Sequence, residues 1–119
     1  MFHSVKTKSS FLHPAIKEFP GTHVITADDD IFYNASWAEL LLQELAPNDN
    51  RILGHRAHRM TLDENGNLKP YNQWNWQIGG NQIRSGTNIF LTGGAGTLYP
   101  SGSLTADDLD PIQFMNRCE

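Results

Sequence analysis

Three consecutive carboxylates, Asp28-Asp29-Asp30, are the residues of this sequence best suited to chemistry. Like charges this close repel one another and need a counter-charge. A divalent cation that favours hard oxygen ligands, Mn²⁺ or Mg²⁺, is the usual one. Two readings are open on the residues alone, a metal site or a solvated acidic loop leading into a helix. The second group is Gly93-Gly94-Ala95-Gly96. Glycines let a backbone approach a ligand closely, and their N–H groups suit sugar hydroxyls or a phosphate. A plain turn between strands is the competing reading. The spacing matches neither a phosphate loop nor a dinucleotide fingerprint.

Aromatic side chains form the third group. Tyr71, Trp74 and Trp76 can stack on pyranose rings, whose faces are apolar C–H surfaces, or can simply pack a core or lid. His55, Arg56, His58 and Arg59 alternate along one segment; one face could point at a diphosphate, but a solvated strand face is the expected reading. The five histidines show no zinc spacing.

The elements that position these groups follow from periodicity. Phe11, Ala15 and Phe19 recur at helical spacing, with Pro14 near the start and Pro20-Gly21 as the stop. His23 to Ala27 is a short apolar run, read as a buried parallel strand that ends in the aspartates. Open α/β sheets bind ligands just beyond the carboxyl ends of their strands, so this placement favours a site. Trp37, Leu41 and Leu45 form the apolar row of a second helix, with Asn34 or Ser36 as cap and Ser36-x-x-Glu39 as a capping box. Arg51 to Leu62 reads as one strand, and Asn65-Gly66 as a hairpin turn returning through Leu68 to Tyr71. Residues 72–87 read as a long polar loop. Asn88 to Thr92 is a second buried strand, and 111–116 a short helical turn.

Composition limits the classes. With 39% hydrophobic and 18% charged residues, the 119-residue chain suits one small globular domain. Nine Lys+Arg against 13 Asp+Glu leave no basic stripe, which argues against a nucleic-acid partner. No apolar run is long enough for a transmembrane segment. Met1 to Ser10 lacks the apolar stretch of a secretory signal, and the single Cys118 makes a reducing, cytoplasmic location the default.

The segment Val24-Ile25-Thr26-Ala27-Asp28-Asp29-Asp30-Ile31-Phe32-Tyr33 resembles the Asp-x-Asp region of glycosyltransferases with the A-type fold. The Trp37 helix, the strand from Arg51, Tyr71-Asn72-Gln73-Trp74 and Phe90-Leu91-Thr92-Gly93-Gly94-Ala95-Gly96-Thr97-Leu98-Tyr99-Pro100 follow in an order similar to bacterial family-two enzymes that build surface polysaccharides. The resemblance covers roughly residues 11–117.

It implies a metal-dependent transfer of sugar from a nucleotide-sugar donor to a glycan or lipid-linked acceptor, at the inner face of the membrane. It implies Asp30 as ligand of Mn²⁺ or Mg²⁺. Asp28 would lie against the ribose or donor sugar, reaching the metal through water, and Asp29 near the sugar. Gly93 and Gly94 fall on the donor side, Trp74 and Trp76 on the acceptor side. The family's catalytic base lies beyond the segment resembling Phe114 to Cys118, so Asp107-Asp108 is expected to be a loop or helix cap.

The expected fold is α/β, a small mixed sheet with flanking helices. Residues 1–119 are expected to be the central, acceptor-side half of the A-type fold, with its N-terminal nucleotide-binding part and C-terminal end missing, because only 27 residues precede Asp28 and the family's base lies past Cys118. A truncated sheet leaves an exposed edge, which invites a homo-oligomer. Two other functions stand beside this one. A non-catalytic remnant that binds a sugar or partner follows from the missing halves. A phosphohydrolase with Asp28 as nucleophile also begins with a strand ending in Asp-x-Asp, but it expects Thr or Val where this chain has Phe32, and Lys69 and Asp107-Asp108 are poor stand-ins for its other groups.

Overall fold

A computed structural model of the chain describes residues 5–6, 12–79, 86–105, 108–110 and 112. The fold is a small mixed α/β domain. Its elements in chain order are β1 (Val5–Lys6), α1 (Leu12–Glu18), β2 (Val24–Ala27), α2 (Trp37–Gln43), β3 (Leu53–Gly54), β4 (Ala57–Arg59), β5 (Asn75–Ile78), β6 (Ile89–Leu91) and β7 (Thr97–Tyr99). They form two sheets rather than the single one expected: a four-stranded sheet in the order β1-β2-β7-β3 and a three-stranded sheet in the order β5-β4-β6.

The first sheet is mixed. β2 runs parallel to β1 but antiparallel to β7, so the all-parallel environment expected for His23 to Ala27 is not formed. Its side chains alternate accordingly, with Val24 and Thr26 buried and Ile25 and Ala27 half-buried. β2 and β7 are the inner strands, and β7 pairs Leu98 with Ile25 on one side and with Leu53 on the other. Leu98 is 0% exposed. Helix α1 packs on β2 and α2 on β7, which adds Ala15 and Leu41 to the buried set.

The two helices match their sequence signals, but α2 does not start as expected. Ser36 makes no side-chain cap, so the Ser36–Glu39 box is not formed. Instead Asn34 Oδ1 accepts from Ser36 N (3.0 Å) and Ser36 Oγ (2.9 Å), and Asn34 O accepts from Trp37 N (3.0 Å). Three residues before the helix, Asn34 thus organises its entry.

The expected strand from Arg51 to Leu62 is broken. β3 belongs to the first sheet and β4 to the second, with His55-Arg56 crossing between them. The return chain crosses beside it: Ala57 pairs with Leu91, and Gly54 with Thr97. Three steps on one strand therefore face six on the other, and the surplus is expelled as the Gly93–Ala95 turn. Thr92 N donates to Arg56 O (3.0 Å) and Arg56 Nε to Thr92 Oγ1 (2.7 Å), closing the ladder just before the excursion. Gly54 lets the sheets meet, since a β-carbon there would lie 3.0 Å from Leu91 Cδ2.

Three further expectations change. Residues 72–87 are not one loop: Tyr71–Gln73 form a 3-10 turn and β5 follows it. The Asn65-Gly66 turn is not the two-residue type, because Gly66 takes positive φ (81°) and Asn65 does not. Gly66 N donates to Asp63 O (3.1 Å) and Asp63 N to Asn67 O (2.9 Å), giving a three-residue loop with a left-handed glycine. The return beyond it is one bridge, Leu62 to Leu68. Finally, the second strand Asn88 to Thr92 exists as β6 but is not buried, with Phe90 44% exposed. The turn expected at 111–116 lies outside the described residues apart from Ile112. Among the described residues no helix is long and apolar enough to cross a membrane.

Because Leu98 sits at the centre of the first sheet with no exposed surface, its replacement by alanine is expected to cost about 2–5 kcal/mol. Urea unfolding of Leu98→Ala measures this. A loss below about 1 kcal/mol, as at a surface site, would show that β7 does not hold the core.

Candidate functional site: the carboxylate and glycine loops

The three aspartates begin where β2 ends, so the strand delivers them to the sheet's edge. Asp28 is half-buried, whereas Asp29 and Asp30 are exposed. The expelled turn of the other ladder arrives beside them. A β-carbon at Gly94 would lie 2.9 Å from Asp28 Oδ2 and 3.5 Å from Ile31 Cδ1. Two groups 66 residues apart in the numbering, Asp28 and Gly94, are therefore neighbours. A side chain at position 94 would displace the carboxylate, which is the physical need for glycine there.

Tyr33 holds the two loops together. Its hydroxyl accepts from Asp28 N (2.8 Å) and donates to Gly94 O (2.7 Å). One side chain thus satisfies a backbone donor on the first loop and an acceptor on the second, groups that would be costly to leave unpaired at a half-buried edge. The Tyr33 ring lies 4.4 Å from that of Trp37 at 31°. Trp37 then supports the glycine loop from below: at Gly96, φ is +98° and a β-carbon would fall 2.6 Å from Trp37 Cζ3. His55 Nε2 donates to Trp37 O (2.6 Å) and His55 N to Gly96 O (3.4 Å), fixing α2 and the loop to the crossing segment.

The glycines accordingly do different work. Gly96 is a packing and conformational requirement, Gly94 borders the carboxylate, and Gly93 has nothing within 4 Å of its would-be β-carbon. Ala95 N donates to Thr92 O (3.2 Å) and Gly96 N to Gly93 O (2.9 Å), so those two N–H groups serve the turn rather than a ligand. Among the described residues, no group of three or more His, Cys, Asp or Glu side chains is placed to hold a metal ion. Any cation at Asp28 and Asp30 needs further ligands from elsewhere.

Sequence reasoning named Asp28, Asp30, Gly93 and Gly94 but missed Tyr33 and His55 as their supports. The only signal for Tyr33 was an aromatic hydroxyl close behind the acids. Ile31 and Phe32 were missed as well. They are 43% and 106% exposed, so apolar surface stands directly beside the carboxylates.

Trp76 belongs to the second sheet and Trp74 directly precedes its strand, both in a cluster with His58, Tyr71 and Phe90. This corrects the expected solvated face of β4: His58 is 3% exposed, stacked on Trp76 at 5.0 Å and 19°. Its Nδ1 accepts from Gln77 N (2.9 Å). Asp108 takes the capping role expected of it, its Oδ2 accepting from Thr105 N and Thr105 Oγ1, both at 2.7 Å. Asp107 lies outside the described residues.

A groove of about 730 Å³ opens elsewhere, between His23, Ser101 and the loop from Leu45 to Asn50. None of the three aspartates lines it. Its acid, Asp49, is bound by Arg51 through N (2.9 Å), Nε (3.0 Å) and Nη2 (2.6 Å). The side-chain bonds from Arg51 pull the Asp49 carboxyl down to about 2. A carboxylate committed to a neighbour in this way serves the loop, and the chemistry is better sought at Asp28.

No family model, no curated protein and no solved structure matches the chain. The class shown is therefore that of the fold, a small mixed α/β domain, and the site must be read from its own geometry.

The two outer glycines give a direct test of that geometry. Gly96→Ala combines a forbidden φ with a clash on Trp37 and should cost about 2–4 kcal/mol in thermal unfolding. Gly93→Ala meets nothing and should stay within about 0.5 kcal/mol. Equal losses would mean that the loop does not rest on Trp37.

Proposed function

We propose that the chain carries the donor-side metal site of a metal-dependent glycosyltransferase with the A-type fold. It would act on a nucleotide-sugar donor and a glycan or lipid-linked acceptor, in the cytoplasm at the membrane's inner face. The observation that carries the reading is the juxtaposition of Asp28, at the carboxyl end of β2, with Gly94 of the glycine turn. Open α/β sheets bind ligands at such strand ends, and the open space at Gly93 gives a diphosphate or sugar room near the acids.

The donor set fits this use. Asp28 and Asp30 would hold the cation through carboxylate oxygens, the hard donor type that suits Mg²⁺ or Mn²⁺. When bound, the cation supplies charge neutralisation on the leaving nucleoside diphosphate. The chain's own residues do the positioning. Asp29 and Asp30 are both exposed, which leaves them accessible to a donor. Tyr33 keeps the Asp28 backbone fixed against Gly94, so the two loops are held together before a ligand arrives. In the transfer, the bond from the sugar's anomeric carbon to the diphosphate oxygen breaks, and one from that carbon to the acceptor hydroxyl oxygen forms. The diphosphate leaves with the bonding pair, and the acceptor's proton passes to a base.

Isothermal titration with UDP-sugars in the presence of Mn²⁺ tests the reading. Saturable heat is expected, abolished by EDTA and weakened at least about tenfold in Asp30→Asn, a loss of about 1.4 kcal/mol. Absence of heat with every nucleotide sugar, or binding indifferent to Asp30→Asn, would overturn it.

A further inference from the structure

The outer face of the second sheet carries aromatic surface that the donor site does not use. Trp76 is 53% exposed, Tyr71 45% and Phe90 44%. Their rings interlock: Tyr71 lies 5.0 Å from Trp76 and 6.3 Å from Phe90. Trp74 underpins the group from 5.1 Å and 5.4 Å, against Tyr71 and Phe90 respectively, and is itself half-buried.

Two features set this cluster apart from apolar residues left on a surface by chance. The first is strain. β5 carries an irregularity opposite His58, because Ala57 pairs with Ile78 while Arg59 pairs with Asn75. The extra residue brings Gln77 to φ +48°, a conformation that costs a residue with a β-carbon. The buried His58 accepts the Gln77 N–H at Nδ1 and stacks its ring beneath Trp76. A strained bulge is thus held in place by the same histidine that supports Trp76, and bulges commonly re-aim a side chain beside a site.

The second feature is chemical. Both indole N–H groups are spent internally, Trp74 Nε1 on Lys69 O (2.8 Å) and Trp76 Nε1 on Tyr71 O (3.2 Å). What remains outward is ring surface, flanked by the exposed amides of Asn72, Gln73, Asn75 and Gln77. Residues 70–79 contain no charged side chain. Apolar ring faces bordered by neutral donors and acceptors complement an uncharged sugar, with C–H surface against the rings and hydroxyls against the amides. Size points the same way. Three half-exposed aromatic side chains offer roughly 300 Å², well below the about 800 Å² per partner of a stable protein interface, but enough for a few sugar rings.

We infer that this face is a binding platform for a neutral pyranose oligosaccharide, with Trp76 as its principal stacking surface. The inference deepens the acceptor side of the proposed function, naming the acceptor's chemistry, and needs neither the donor nor the cation to bind.

The test is titration of the full ¹⁵N-labelled chain with cellohexaose and, separately, maltohexaose, following the three tryptophan indole signals. One of the two sugars should shift the Trp76 signal saturably while Trp37 stays put, and which one it is fixes the linkage preferred. Binding should persist in EDTA, in about 1 M NaCl where charge attraction is screened, and in Asp30→Asn. Trp76→Ala should weaken it about tenfold and Trp76→Phe, which keeps a ring, by less. Absence of a shift with either sugar, or binding unchanged in a folded Trp76→Ala, would overturn the platform. So would self-association of the chain that is lost in Trp76→Ala without any sugar response. Loss of nucleotide-sugar binding in Asp30→Asn with this titration intact would separate the two sites.

Discussion

Everything proposed for this chain depends on the pairing of β7 with β2 and β3. Leu98 lies at the middle of that ladder, opposite Ile25 on one side and Leu53 on the other, and is wholly buried. Thr26 and Thr97 are buried with it, and Thr26 Oγ1 leans on Thr97 O at 3.4 Å. The register settles where the loops fall. Thr26, one residue before β2 ends, pairs with Thr97 at the start of β7, so the residues that follow one strand meet those that precede the other. Asp28 and Gly94 are neighbours because of antiparallel pairing well inside the sheet.

The second consequence comes from the mismatch in length between the two crossing chains. Where three steps face six, the backbone must bulge, and a bulge at a sheet edge needs residues without side chains if another loop packs against it. Gly94 and Gly96 meet that need against Asp28 and Trp37 respectively. The Tyr33 hydroxyl then converts proximity into a fixed geometry with two hydrogen bonds. A second bulge, at Gln77, does comparable work in the other sheet by turning Trp76 outward over His58. Both candidate surfaces are therefore built on departures from regular pairing.

Local signals carried part of this. The apolar run before Asp28, the Trp37-Leu41 row and the glycine segment each announce their element, and each lies where expected. What local pattern cannot carry is pairing. Nothing in Arg51 to Leu62 marks a break at His55-Arg56, because the break is imposed by partners some 35 to 40 residues later, Thr92 and Gly96. His58 looks polar in sequence and is buried because Trp76 and Gln77 supply a stack and a donor from another strand. Residues 75–78 lie in a polar, glycine-rich stretch that reads as loop, yet β4 recruits them as a strand. Tyr33 was invisible as a clamp, since one of its two partners lies on the distant glycine turn.

The claim most in need of measurement is that the carboxylate and glycine loops form one ligand site. Paramagnetic broadening by Mn²⁺, added with UDP to the ¹⁵N-labelled chain, reads this directly by amide position. A single site predicts that signals of Asp28 to Asp30 and of Gly93 to Gly96 broaden together at substoichiometric Mn²⁺, and far less in Asp30→Asn. Broadening spread evenly over the surface acids, or confined to the loop around Asp49, would contradict it.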